Sequence, residues 1–132
     1  MDNQDNQQLK ADLMSRMLDK ATDSILLHDL DGNVIYVNES TYKNRGYTKE
    51  EFMKMNFQDI NAPESSNLIR SRMKDLIKKG TVVFESTDIC KDGSLIYVEV
   101  HAQIIESDDK KYVLSIERDI TTRKEAEKNC LK

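Results

Sequence analysis

Between residues 111 and 128 the chain reads KYVLSIERDITTRKEAEK, and this stretch limits the possible folds more than any other. Its first half is apolar and β-branched for long enough to be a strand buried in a sheet, whereas its second half is charged and made of strong helix formers. A strand therefore runs directly into a helix. Thr122 followed by Glu125 has the spacing of a capping box, which predicts the helix start. No glycine or proline separates the two elements, so movement of the strand should reach the helix rather than be absorbed by a flexible link.

Two further strands precede this one. Residues 81–90 and 95–105 are joined by Lys91-Asp92-Gly93-Ser94, and a second turn, Ser107-Asp108-Asp109-Lys110, leads into the last strand. The middle strand alternates, with Ile96, Val98, Val100, Ala102 and Ile104 on one face and Tyr97, Glu99, His101 and Gln103 on the other. One face is core and the other polar, so His101 should point away from the interior. At roughly 1.5 to 3 kcal/mol for each large aliphatic side chain fully buried, the inner row outweighs a surface ion pair.

Nearer the amino terminus, Ile25 to Leu30 and Val34 to Val37 flank Asp31-Gly32-Asn33, a tight-hairpin signal because glycine accepts positive φ. His28 lies in the first of these strands and is expected to be a hydrogen-bonded structural residue. Between them and residue 80 the chain turns helical in short pieces: a segment over 40–45 stopped by Gly46, a capping box at Thr48 and Glu51, and a longest piece with Pro63 in its first turn. Leu68, Ile69, Met73, Leu76 and Ile77 form the buried stripe of that piece, and Gly80 ends it. At the start of the chain, Leu9, Leu13, Met14, Met17, Leu18 and Ala21 fall on one side of a helix. The stripe is expected to pack on the domain; the alternative pairs Leu13, Met14, Met17, Leu18 and Ala21 with the same helix of a second copy, making the protein a homodimer.

The sum is an α+β domain: five antiparallel strands with short helices over one face, plus an amino-terminal helix. Residues 1–21 form the leader and amphipathic helix, 22–120 the domain, and 121–132 the start of a carboxy-terminal helix. A cleft between helices and sheet is the default place for a ligand, and Phe57, Ile60, Ile69, Met73, Ile77, Val98, Val100, Leu114 and Ile116 are its candidate lining.

Composition removes several classes. With 132 residues the chain can bury roughly two thirds of its unfolded surface without disulfides. Cys90 and Cys130 lack metal-knuckle spacing, no metal site is indicated, and a reducing, cytoplasmic setting is expected. No run approaches the roughly 18 apolar residues of a membrane span, so no direct membrane contact is expected, although a parent protein could be membrane-attached. A net charge of −4 with both signs interspersed argues against nucleic acid. There is no Gly-x-Ser-x-Gly elbow, no glycine-rich phosphate loop and no His-Glu-x-x-His, so catalysis is not expected.

The strings DLDGNVIYVNES, RGYTKEEF, KDGSLIYVEV and SIERDITTRKEAE, in this order and at these separations, resemble the PAS sensory domain over residues 21–126. The resemblance implies strand order 2-1-5-4-3 around a small internal cavity and a regulatory, non-enzymatic input. It implies an output domain downstream, most often a histidine kinase of a two-component system, less often a diguanylate cyclase. Asp119, Ile120 and Thr121 match the family's Asp-Ile-Thr signature at the exit to the signalling helix, and Asp119 is expected to reach Lys91 and transmit the signal there. Flavin photosensors of the family carry Asn-Cys-Arg-Phe-Leu-Gln; Met55-Asn56-Phe57-Gln58-Asp59 has no cysteine, so no flavin adduct is expected. Haem-binding relatives use a histidine on the long helix, and residues 64–79 contain none. A small apolar or amphipathic ligand remains, or else a ligand-free interaction module that holds two subunits together.

Overall fold

The computed structural model describes residues 3–130, excepting the side chains of residues 3, 64, 66 and 128–130. Helix α1 (Asn3–Asp19) leads into strand β1 (Ser24–Asp29) and strand β2 (Val34–Val37). The turn between them is fixed by Asp29, whose carboxylate accepts from the backbone amides of Asp31 and Asn33 and from Asn33 Nδ2. Gly32 is required there twice over. Its φ is +91°, and a Cβ would lie 2.4 Å from Asn56 Oδ1.

Short helices follow: α2 (Glu39–Asn44), α3 (Lys49–Met53), a 3-10 turn (Phe57–Ile60), α4 (Pro63–Ser66) and α5 (Ile69–Lys79). The Thr48 and Glu51 capping box is present on α3, and a second, Asn56 with Asp59, starts the 3-10 turn. The longest helix expected to open at Pro63 is in fact two: α4 ends at Asn67, and α5 begins after Leu68 with no side-chain cap. Gly80, at φ +82°, terminates α5.

Strands β3 (Thr81–Ile89), β4 (Leu95–Ser107) and β5 (Lys110–Asp119) complete one antiparallel sheet of order β2-β1-β5-β4-β3, the expected topology. The helices cover one face in two apolar clusters. Leu76 packs with Val98, Val100, Ala102 and Val113, while Leu26, Val37, Phe52 and Ile60 form the other. On β4 the inner row is the expected one.

On β5 the parity differs from expectation. Val113, Ser115 and Glu117 are buried beneath the helices, and Leu114 and Ile116 pair with Gln103 and His101, on the opposite face of the sheet. Leu114 and Ile116 thus lie outside while Ser115 and Glu117 lie inside, the reverse of what hydrophobicity alone suggests.

The amino-terminal stripe also departs from expectation. The end of α1 is fixed to the domain: Asn38 Nδ2 donates to Leu18 O and Asp23 O, the Glu39 amide to Asp19 Oδ1, and Ser40 Oγ to Ala21 O. Leu9, Leu13, Met14 and Met17 are 48–70% exposed, because α1 meets chiefly α2.

Helix α6 (Thr121–Cys130) begins one residue after β5. Buried Ile120 donates its amide to Tyr97 O at 2.8 Å, and Tyr97 N donates to Thr121 Oγ1 at 3.0 Å. The strand-to-helix joint is held on both sides, with no break.

Candidate functional site

Inward-facing residues of β1, β3, β4 and β5 and the helices opposite line a partly open cavity of about 30 Å3. Its wall is mostly apolar: Ile69, Met73 and Leu76 come from α5, Val82 and Phe84 from β3, Ala102 from β4 and Val113 from β5. Phe57 closes it from the 3-10 turn. His28, Asn61, Arg72 and Ser115 are its polar members.

Of the cleft residues expected from sequence, Phe57, Ile69 and Met73 lie on this wall. Ile60, Val98 and Val100 are buried in the flanking cores without lining it. Ile77 is 52% exposed and its neighbour Leu76 takes the inward position, since the break after α4 sets the phase of α5. Leu114 and Ile116 are excluded by the parity of β5. The polar members escaped sequence reasoning because they sit in apolar surroundings assembled from distant strands; only strict alternation along β1 would have turned His28 inward.

His28 is 2% exposed, and its ring stacks on Phe57 at 4.4 Å. Nδ1 lies 2.7 Å from the carbonyl oxygen of Asp29, an acceptor only, so the proton resides on Nδ1. Burial holds the imidazole below its ordinary pKa, against the pull of the Asp29 carbonyl and carboxylate. His101 is on the outer face beside Glu99, as expected.

Behind the cavity lies a buried charge cluster. Arg45, the residue that ends α2, donates through Nε and Nη2 to Asp88 Oδ2, through Nη2 to Glu117 Oε2 at 2.6 Å, and through Nη1 to Ser24 Oγ and Thr41 O. One guanidinium faces two carboxylates, so a proton is retained. Burial, then the charge of Asp88, pushes Glu117 up to about 8. Asp88 is also raised by burial, opposed by Arg45.

At the joint, the expected pair of Asp119 with Lys91 does not form. Lys91 Nζ binds Glu51 Oε2 at 2.6 Å, and Asp119 Oδ1 accepts from the Thr121 amide at 2.9 Å. A carboxylate beside the unpaired amides of a helix start meets a nearer partner there than across a turn. Because α6 opens at Thr121, Thr122 sits inside the first turn and does not form the expected capping box with Glu125. Arg123 and Lys124 both bind Glu85 of β3, tying α6 to the sheet.

Comparison with known proteins agrees with this geometry. Residues 22–122 match the PAS domain family model. The chain is 35% identical over 112 residues to the methyl sulfide methyltransferase-associated sensor of Methanosarcina acetivorans, covering 84% of this chain and 11% of that protein. It is 23% identical over 107 residues to the sensor histidine kinase TmoS of Ectopseudomonas mendocina, covering 78% and 11% respectively. The chain thus spans about a tenth of the length of these curated relatives. Among solved structures, the PAS domain of an HTR-like protein from Haloarcula marismortui superposes with a TM-score of 0.79 at 20% identity, covering 89% of this chain and 97% of that one. The strand order, the helical cover and the Asp-Ile-Thr exit therefore have one reading, and the chain belongs to the PAS domain family, as a sensory domain.

Proposed function

We propose that this domain is the input of a larger signalling protein, in which a small molecule in the cavity changes the packing of β5 and α6 carries that change to an output domain. The observation that supports this most directly is covalent continuity. Val113 and Ser115 line the cavity, and six residues after Ser115, at Thr121, the same chain is already helical. A coupling of roughly 1 to 3 kcal/mol between cavity and helix would change output about five- to a hundredfold. Histidine kinase output is favoured by the similarity to TmoS, whose name states that activity. The domain itself is read as non-catalytic and as working in the cytoplasm; no helix among the described residues is long and apolar enough to cross a membrane.

The test is a fusion of residues 1–132 to a histidine kinase core, with and without Gly-Gly inserted between Ile120 and Thr121. Autophosphorylation that responds to a cavity ligand in the direct fusion and loses that response on insertion supports the proposal. Equal responses in both fusions overturn it.

A second role is supported by the exposed side of α1. Leu13, Met14 and Met17 are open to solvent on a helix whose end is fixed to the domain, with Leu18 and Ala21 half-buried at its base, which favours pairing with the same surface of a second copy.

A further inference from the structure

We infer that the cluster of Arg45, Asp88 and Glu117 is a proton-operated switch, in which loss of the proton held between the two carboxyls loosens the end of β5 and with it the start of α6. The inference uses the relay from β5 to α6 given above, but it needs no molecule in the cavity.

The cluster joins strands that do not touch. In the sheet β4 separates β3 from β5, with Asp88 paired to Ile96 and Glu117 to Val100. One nitrogen of Arg45 nevertheless lies 2.7 Å from Asp88 Oδ2 and 2.6 Å from Glu117 Oε2, while Nη1 reaches Ser24 of β1. The Glu117 carboxyl in turn donates to Asp88. The end of α2 and strands β1, β3 and β5 therefore meet at one guanidinium.

Charge counting gives the cluster two states. With Glu117 protonated, the Arg45 cation balances the Asp88 anion. Once that proton has left to water, one uncompensated negative charge remains where every member is 2% exposed or less, and burial disfavours it strongly. No other group among the described residues that faces the cluster can neutralise it. Strand β4 presents Val98 and Val100 here, its Glu99 and His101 being on the outer face. Strand β1 offers the Ser24 hydroxyl and α2 the Thr41 carbonyl. Strand β3 leads to the Cys90 thiol beside Arg45, which can add only negative charge. Lys91 Nζ is held by Glu51, and Asp119, the next residue of β5 with the parity of Glu117, is exposed and holds the Thr121 amide.

Relief of the buried charge requires Glu117 to draw away from Asp88 or water to enter. A surface groove whose wall includes Arg45, Gly46 and Cys90 runs beside the cluster, so solvent is close at hand. Either change falls on the backbone that anchors α6. Thr121 opens that helix four residues after Glu117, and the intervening Ile120 amide is bound to Tyr97 O. The working range is near neutrality, because burial and then Asp88 push Glu117 up to about 8. The protonated form is therefore in about tenfold excess at pH 7 and outnumbered about tenfold at pH 9.

The test follows residues 1–132, with 13C-labelled carboxyls and 15N-labelled amides, by NMR from about pH 6 to 9. The Glu117 carboxyl resonance is expected to inflect near pH 8, and the amide resonances of Thr121 to Lys124 at the same pH. Glu117→Gln should abolish the inflection in α6, and Asp88→Asn should move both inflections to lower pH together. If neither variant folds, coincidence of the two inflections in the unaltered chain decides alone. A Glu117 resonance without inflection in this range overturns the switch, as does persistence of the α6 inflection in Glu117→Gln. Titration of Glu117 with α6 unmoved also overturns it, reduces the cluster to a stability element, and leaves the ligand reading to its own fusion test.

Discussion

Arg45, Asp88 and Glu117 put two carboxylates and one guanidinium where each is 2% exposed or less, so their charge state bears on stability. Glu117 holds a proton in the folded state up to about pH 8 that its ordinary carboxyl releases near 4.5. The folded chain therefore binds more protons across that window, and its contribution to stability is full below 4.5 and lost as pH rises toward 8. Glu117→Gln keeps an acceptor for Arg45 and a donor for Asp88 while removing the proton. Chemical denaturation from pH 5 to 8 should show a flatter slope in this variant, the difference reaching at most about 1.4 kcal/mol per pH unit. Arg45→Leu should be far more damaging, since it strands the carboxylates; a loss of about 3 to 5 kcal/mol is expected in the same denaturation series. None of this was legible beforehand. The partners of Arg45 lie 43 and 72 positions away, and in sequence it looks like the charged end of a short surface helix.

Among the elements, legibility followed how clean the periodicity was. Strand β4 alternates without interruption, and its inner row could be read directly from the sequence. Strand β5 could be recognised as a strand but not turned the right way, because Ser115 and Glu117 are inward for the sake of the cavity and the charge cluster rather than for hydrophobicity. The same limit misplaced the lining: a helix phase error of one residue exchanges Leu76 for Ile77. The joint after β5 was legible in position and wrong in its contacts. Asp119→Ala should remove the acceptor for the Thr121 amide and cost about 1 kcal/mol, as loss of a helix-starting carboxylate does. Lys91→Ala should leave α6 undisturbed, so hydrogen exchange of the first α6 amides should quicken in the Asp119 variant alone.

For the molecule as a whole, the fold was readable because the order of hairpin, helices and meander admits few sheets, whereas the arrangement of its surfaces was not. Expecting the α1 stripe to pack on its own domain was reasonable for an amphipathic helix, yet the helix meets chiefly α2. Met14→Asp combined with Met17→Asp should leave the melting temperature of the monomer, measured at low protein concentration, within about 1 °C, as substitutions at exposed positions do. Analytical ultracentrifugation should show that pair of changes shifting a dimer of the chain to monomer. The side chain of Asn38 meets the end of α1, the Ile25 amide of β1 and the first turn of α2 at once. At the far end Tyr97 grips the start of α6. Asn38 and Tyr97 thus join the leading helix, the strand that bears His28 and the trailing helix through one hydrogen-bonded sheet. A domain anchored this way at both ends would couple the orientation of its two terminal helices whether or not its interior is filled.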